Sequence, residues 1–162
     1  MKNSFKHIIL ICLAGFVLLF TACDKDKIFE QSKTIDKDTW LSNDFIRFNV
    51  NIPDNTIPVN YYLIVRNTTD YKYSNIFFFV RTKLPDGTML TDTINCVLAY
   101  PDGKWVGKGI GKYREVTQLL IPNSLFPQKG EYVFEFEQAM REDKLKGINA
   151  IGIRIEESNI KE

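Results

Sequence analysis

From residue 45 onward the chain is a succession of short runs in which apolar and polar residues alternate, and turn signals cut each run before it reaches helical length. In G-E-Y-V-F-E-F-E (130–137), Tyr132, Phe134 and Phe136 fall on one side of a period of two, and Glu131, Glu135 and Glu137 on the other. In A-I-G-I-R-I-E (150–156), Ile151, Ile153 and Ile155 share a face while Arg154 and Glu156 point away. A period of two matches a pleated strand with one face in a core and one in water, and does not match a helix. F-I-R-F-N-V-N-I (45–52), N-Y-Y-L-I-V-R-N (60–67) and N-I-F-F-F-V-R-T (75–82) carry the aromatic and β-branched residues that pack on such a surface. Further strands are expected at about 88–99, 114–121 and 130–138, with at most a helical turn in A-M-R-E-D-K-L-K-G (139–147). Pro85-Asp86-Gly87 and Pro101-Asp102-Gly103 turn the chain between them, Pro presetting φ and Gly accepting a positive φ. The expected fold is all-β: an antiparallel β-sandwich, jelly-roll-like, with an immunoglobulin-like sandwich as the alternative.

The first residues do not belong to that pattern. Met1-Lys2-Asn3-Ser4-Phe5-Lys6-His7 is followed by an uncharged run from Ile8 to Phe20, 13 residues, against the roughly 20 a bilayer-spanning helix needs. A basic start, a short apolar run and small residues at its end are the marks of a secretory signal. Here Thr21-Ala22-Cys23 resembles the bacterial lipobox, in which cleavage precedes a cysteine that then carries diacylglycerol, with Phe20 in place of the usual Leu. The alternatives are an ordinary secretory signal and an uncleaved anchor. The expected organisation is a cleaved signal over 1–22, a lipidated Cys23 with a charged tether over 23–38, and one β-domain over 39–162. Two or more acyl chains on Cys23 hold a protein on a bilayer stably, where a single chain holds it only marginally. The expected location is the cell envelope, as a lipoprotein of the outer membrane.

Removal of the signal also narrows the chemistry. The whole chain has 21 Lys+Arg and 20 Asp+Glu; losing Lys2 and Lys6 leaves 19 cations and a net charge of −1. No concentrated basic patch of the kind nucleic acid requires is present, so no nucleic-acid partner is expected. The single histidine, His7, leaves with the signal, and with it go Ser-His-Asp and Cys-His catalysis and the usual zinc sites. Of three cysteines only Cys96 stays in the domain, on the strand face of Ile94 and Leu98, where it reads as a small buried hydrophobe. A two-carboxylate glycosidase needs no histidine, but Glu131, Glu135 and Glu137 read as a solvated strand face. No catalytic residue, metal ligand or cofactor is expected.

V-G-K-G-I-G-K (106–112) invites comparison with a phosphate loop and fails it, because Lys112 is followed by Tyr113 and the glycine spacing is wrong. These glycines read as bulges or close backbone approaches, with a binding loop as the alternative. Tyr71, Tyr73 and Trp105 are candidate interaction residues. Trp105 is read as core, since it follows a tight turn into an apolar position, with an interface anchor as the alternative. A carbohydrate-binding sandwich would use exposed aromatics, for which Tyr61, Tyr71, Tyr73 and Trp105 are the candidates.

Taken in order, Y-K-Y-S-N-I-F-F-F-V, L-P-D-G, D-T-I, G-K-W-V-G-K-G-I-G, G-E-Y-V-F-E-F-E-Q-A-M-R and L-K-G-I-N-A-I-G-I-R-I-E resemble the gliding-motility lipoprotein family GldH of Bacteroidetes, from about Trp40 to Glu156 and with the lipobox cysteine. The resemblance implies an envelope lipoprotein that supports the gliding machinery and type IX secretion through contacts with other envelope proteins. It implies no enzyme activity.

Overall fold

The structure, a computed structural model, describes residues 26–158. Ten strands follow one another: β1 (Lys27–Thr34), β2 (Thr39–Leu41), β3 (Ile46–Ile52), β4 (Val59–Thr68), β5 (Asn75–Lys83), β6 (Met89–Val97), β7 (Tyr113–Ser124), β8 (Gly130–Gln138), β9 (Lys144–Lys146) and β10 (Ile148–Glu157). One sheet has the order β1-β10-β4-β7, the other β3-β8-β5-β6, and all pairings are antiparallel. Leaving aside the short β2–β9 pair, the eight long strands pair first with last, second with seventh, third with sixth and fourth with fifth. That nesting is the jelly roll, a long hairpin rolled into two sheets, and it excludes the immunoglobulin-like alternative.

Sequence alternation becomes the core directly. Ile46, Phe48, Val50 and Ile52 of β3 are buried while Arg47, Asn49 and Asn51 are exposed. Tyr132, Phe134 and Phe136 of β8 and Ile151, Ile153 and Ile155 of β10 come from opposite sheets to fill the space between them. Aromatic rings tie the layer together: Tyr61 stacks on Phe134 at 5.3 Å, and Phe48 meets Phe136 edge-on at 5.9 Å. Such pairs contribute about 0.5–1.5 kcal/mol beyond the area they bury.

Two differences from the expected organisation matter. The segment read as tether through residue 38 is corrected: Lys27–Thr34 is strand β1, paired with β10 from Lys27↔Glu156 to Thr34↔Ala150. Its sequence hides this because an edge strand needs little apolar content. Only Ile28 and Phe29 rest against the core, and the backbone ladder to β10 does the rest. The segment 139–147, expected to hold at most a helical turn, instead contains β9, which pairs with β2 through Trp40↔Leu145. This small ribbon plugs one end of the sandwich with two fully buried side chains, Trp40 and Leu145.

Beside the plug, Asp38 sits at positive φ and fastens the β1–β2 crossover. Its carboxylate accepts from Lys112 Nζ at 2.9 Å and Asn149 Nδ2 at 2.7 Å, and its carbonyl accepts from Gly147 N at 2.7 Å. The Lys112 ammonium and then the Asn149 amide hold the carboxyl below its ordinary 3.8. A carboxyl depressed on folding adds stability that is complete above the ordinary value and is lost as pH falls through the lowered one. Asp38→Asn, which tolerates the same backbone, should therefore be less stable than wild type in urea at pH 7, and the gap should narrow as pH falls below the ordinary carboxylate value.

Candidate functional site

Cys23 and the signal segment lie outside the described residues. The first described residue, Asp26, accepts at its carbonyl from Glu157 N at 2.7 Å. Around it the register places the starts of β1 and β4 and the ends of β7 and β10, through Lys27↔Glu156, Glu157↔Val59 and Val59↔Ser124. The loops 53–58, 84–88 and 125–129 close the same end. Asn55 Nδ2 reaches Pro127 O at 3.4 Å, and Gln128 Nε2 donates to Asp86 Oδ2 at 2.7 Å. The β2–β9 plug closes the opposite end.

The aromatic candidates separate into different environments. The expectation that Tyr71 is an exposed contact residue is corrected: it is buried, donates its hydroxyl to Asn75 O at 3.0 Å, and has its phenol pushed up by burial. Tyr61 is buried too, which corrects its place in an exposed sugar platform. Tyr73 is half-buried, packs edge-on against Tyr71 at 5.6 Å and donates to Glu142. Trp105 is half-buried against the core, bridged to Ala99 where the chain leaves β6. Its truncation is expected to lower stability by less than the ~3–5 kcal/mol of a fully buried tryptophan. Comparing the melt of Trp105→Ala with its crosslinking in cells separates packing from partner contact.

The glycine-rich stretch is a close approach of backbones. A Cβ on Gly107 would lie 2.8 Å from Glu115 O, and one on Gly109 would strike Tyr113 O. Lys108 and Glu115 exchange backbone hydrogen bonds at 3.1 and 2.8 Å, laying the loop along the outer edge of β7. Cys96 is fully buried and its thiol is pushed up to about 12 by desolvation, as suits a packing residue rather than a nucleophile. Glu135 and Glu137 lie on the outer face of β8 and pair with Arg81, and Glu135 also with Arg47.

A concavity that sequence reading missed lies along one side of the sandwich. β6 and β7 are the edge strands of the two sheets on that side, and between them opens a cleft of about 650 Å³. Val80, Leu90 and Ile94 line it from one sheet, and Val59, Leu120 and Ile121 from the other, with Leu125 and Phe126 at the Asp26 end. Leu90, Ile121 and Leu125 are about half exposed, at 49%, 50% and 56%. Tyr61 lines the same space, and its hydroxyl is buried without a hydrogen-bond partner among the described residues. No sequence period reveals this, because it depends on which two edges the jelly roll leaves facing each other. The one available signal was the row of apolar residues at 119–121 and 125–126, more than a solvated edge needs.

Fold and site together define a jelly-roll domain plugged at one end by the β2–β9 ribbon, closed by loops at the other, and open along the β6–β7 side. A family model described as GldH lipoprotein matches residues 27–155. The chain is 30% identical over 166 aligned residues to the gliding motility lipoprotein GldH homolog of Christiangramia forsetii, covering 98% of this chain and 99% of that one. It is also 30% identical over 156 residues to gliding motility lipoprotein GldH of Flavobacterium johnsoniae, covering 92% and 96%. Among solved structures, a family 35 carbohydrate binding module from Clostridium thermocellum aligns with a TM-score of 0.37 and 14% identity over 82% of this chain and 93% of that one. The chain belongs to the GldH lipoprotein family. It is a gliding-motility lipoprotein, a membrane-anchored protein of the cell envelope.

Proposed function

We propose that this protein is held on the outer membrane through acylated Cys23 and serves the gliding and type IX secretion machinery by contacting other envelope proteins. The observation that carries the reading is the position of β1. It starts at Lys27, four residues after Cys23, so an extended linker reaches about 14 Å and the domain stands close to the bilayer. A long tether would let the domain roam. This one keeps the sandwich within about 14 Å of the lipid, with the end that carries the 53–58, 84–88 and 125–129 loops toward it and the Trp40 plug away from it. Such a placement suits a scaffold that other envelope components meet in one orientation. Family membership supports the gliding assignment, and the names of both relatives carry it.

Crosslinking in intact cells, followed by identification of what is captured, tests the reading together with deletion of the gene. The expected result is capture of gliding or secretion components and loss of surface spreading and of secreted cargo on deletion. Intact spreading and secretion in the deletion strain would contradict it. The alternative, a carbohydrate-binding lipoprotein, has lost two of its four aromatic candidates to burial. Specific binding on a glycan array would restore it.

A further inference from the structure

The side of the sandwich that carries the cleft is also where one sheet ends in an undefended strand. In the β5–β6 hairpin, Leu84 N donates to Thr88 O at 2.8 Å and Leu98 N to Ser74 O at 2.7 Å. With the register Lys83↔Met89 through Asn75↔Val97, the even residues of β6 spend their backbone groups on β5. The odd ones, Met89, Thr91, Thr93, Asn95 and Val97, turn theirs to the open edge. Gln118 Nε2 takes the carbonyl of Asn95 at 3.1 Å; the backbone groups of Thr91 and Thr93 have no partner among the described residues. Proteins ordinarily guard such edges with Lys, Pro or a covering segment. Strand β1 has Lys27 and Lys33, and β7 has Pro122 and the Lys108 bridge. Strand β6, M-L-T-D-T-I-N-C-V, has neither Lys nor Pro, and it is rich in residues that favour pairing.

A charged group of the cleft lacks a partner as well. Asp92 lines it among apolar neighbours and makes no ion pair or hydrogen bond among the described residues. Tyr61, another residue of its wall, is only 7% exposed, and its hydroxyl is buried without a hydrogen-bond partner among the described residues.

We propose that the β6 edge and the adjoining cleft receive an extended segment of another polypeptide, which adds as a strand beside β6. Its alternate apolar side chains enter the cleft, and a Lys or Arg on the same face meets Asp92. Backbone pairing supplies affinity and the pockets supply selectivity, as in other strand additions. Asp92 also disfavours a second copy of this chain, because pairing two β6 strands near their middles brings two carboxylates onto one face. The inference deepens the contact reading above by assigning one partner class to one surface.

The test is a selection of displayed random nine-residue peptides on the full mature chain in detergent micelles. Enriched peptides should alternate apolar and polar residues and carry one Lys or Arg. A synthetic copy of the strongest should slow hydrogen exchange at the Thr91 and Thr93 amides at least tenfold. Thr93→Pro removes an outward amide without touching the β5 ladder and should weaken binding at least tenfold. Asp92→Lys, an exposed position that leaves the fold intact, should switch the selection to acidic peptides and keeps the test decisive if the proline variant misfolds. No enrichment, bound peptides that leave Thr91 and Thr93 exchange unchanged, an unaltered charge preference in Asp92→Lys, or self-association through β6 would each overturn the proposal. Such failure would leave crosslinking of gliding components elsewhere on the domain to stand or fall separately.

Discussion

Trp40→Ala should be the most damaging single substitution in the domain, lowering stability by about 3–5 kcal/mol and the melting temperature by roughly 10–20 °C. Three features make this site worse than an ordinary core position. The indole is fully buried, it packs 5.8 Å from Phe78 in the opposite strand layer, and its Nε1 donates to Asp44 O at 2.7 Å. It is also one of the two side chains that close the plugged end, so its loss opens that end of the core to water as well as leaving a cavity. Because native domains are stable by only about 5–15 kcal/mol, the variant should accumulate poorly in cells. Trp40→Phe keeps much of the volume and should lose less than half as much. Denaturant melts of the two variants beside wild type measure the difference. Equal losses would show that the hydrogen bond, and not the packing, holds the plug.

The strands on which this core rests were legible in the sequence because a period of two survives wherever one face is buried and the other wet. β3, β8 and β10 fall within a residue or two of where their alternation puts them. β1 was not legible for a physical reason. K-I-F-E-Q-S-K-T is held by its ladder to β10, and pairing across more than a hundred residues leaves no local period. The three-residue strands β2 and β9 are too short to show one.

The same reasoning explains the mixed result for the candidate residues. Y-K-Y lies in the irregular connection between β4 and β5, where no period assigns a side chain to a face. The chain there sends Tyr71 into the core while leaving Tyr73 on its flank. The glycine-rich run, read from sequence as close backbone approach, brings two backbones together at Gly107 and Gly109. The β6–β7 cleft had no sequence signature, because edge exposure is a property of topology.

The second large effect is expected at Cys23. If Cys23 carries the acyl chains as proposed, Cys23→Ser removes the thiol they attach to, and the domain should lose its membrane altogether. The described strands begin at Lys27, so the melting temperature of the variant domain should equal that of wild type. What should be lost is location, and with it every contact that depends on closeness to the lipid. Gliding and secretion should then fail to the same degree as in a deletion strain, although the protein is folded.

Metabolic labelling with an alkyne fatty acid, read on membrane and soluble fractions of cells carrying either form, tests the account most directly. The account predicts a labelled wild type confined to the membrane fraction, processing that stops with globomycin, and a Cys23→Ser protein that takes up no label. A mature wild-type protein that is unlabelled and freely soluble would contradict it.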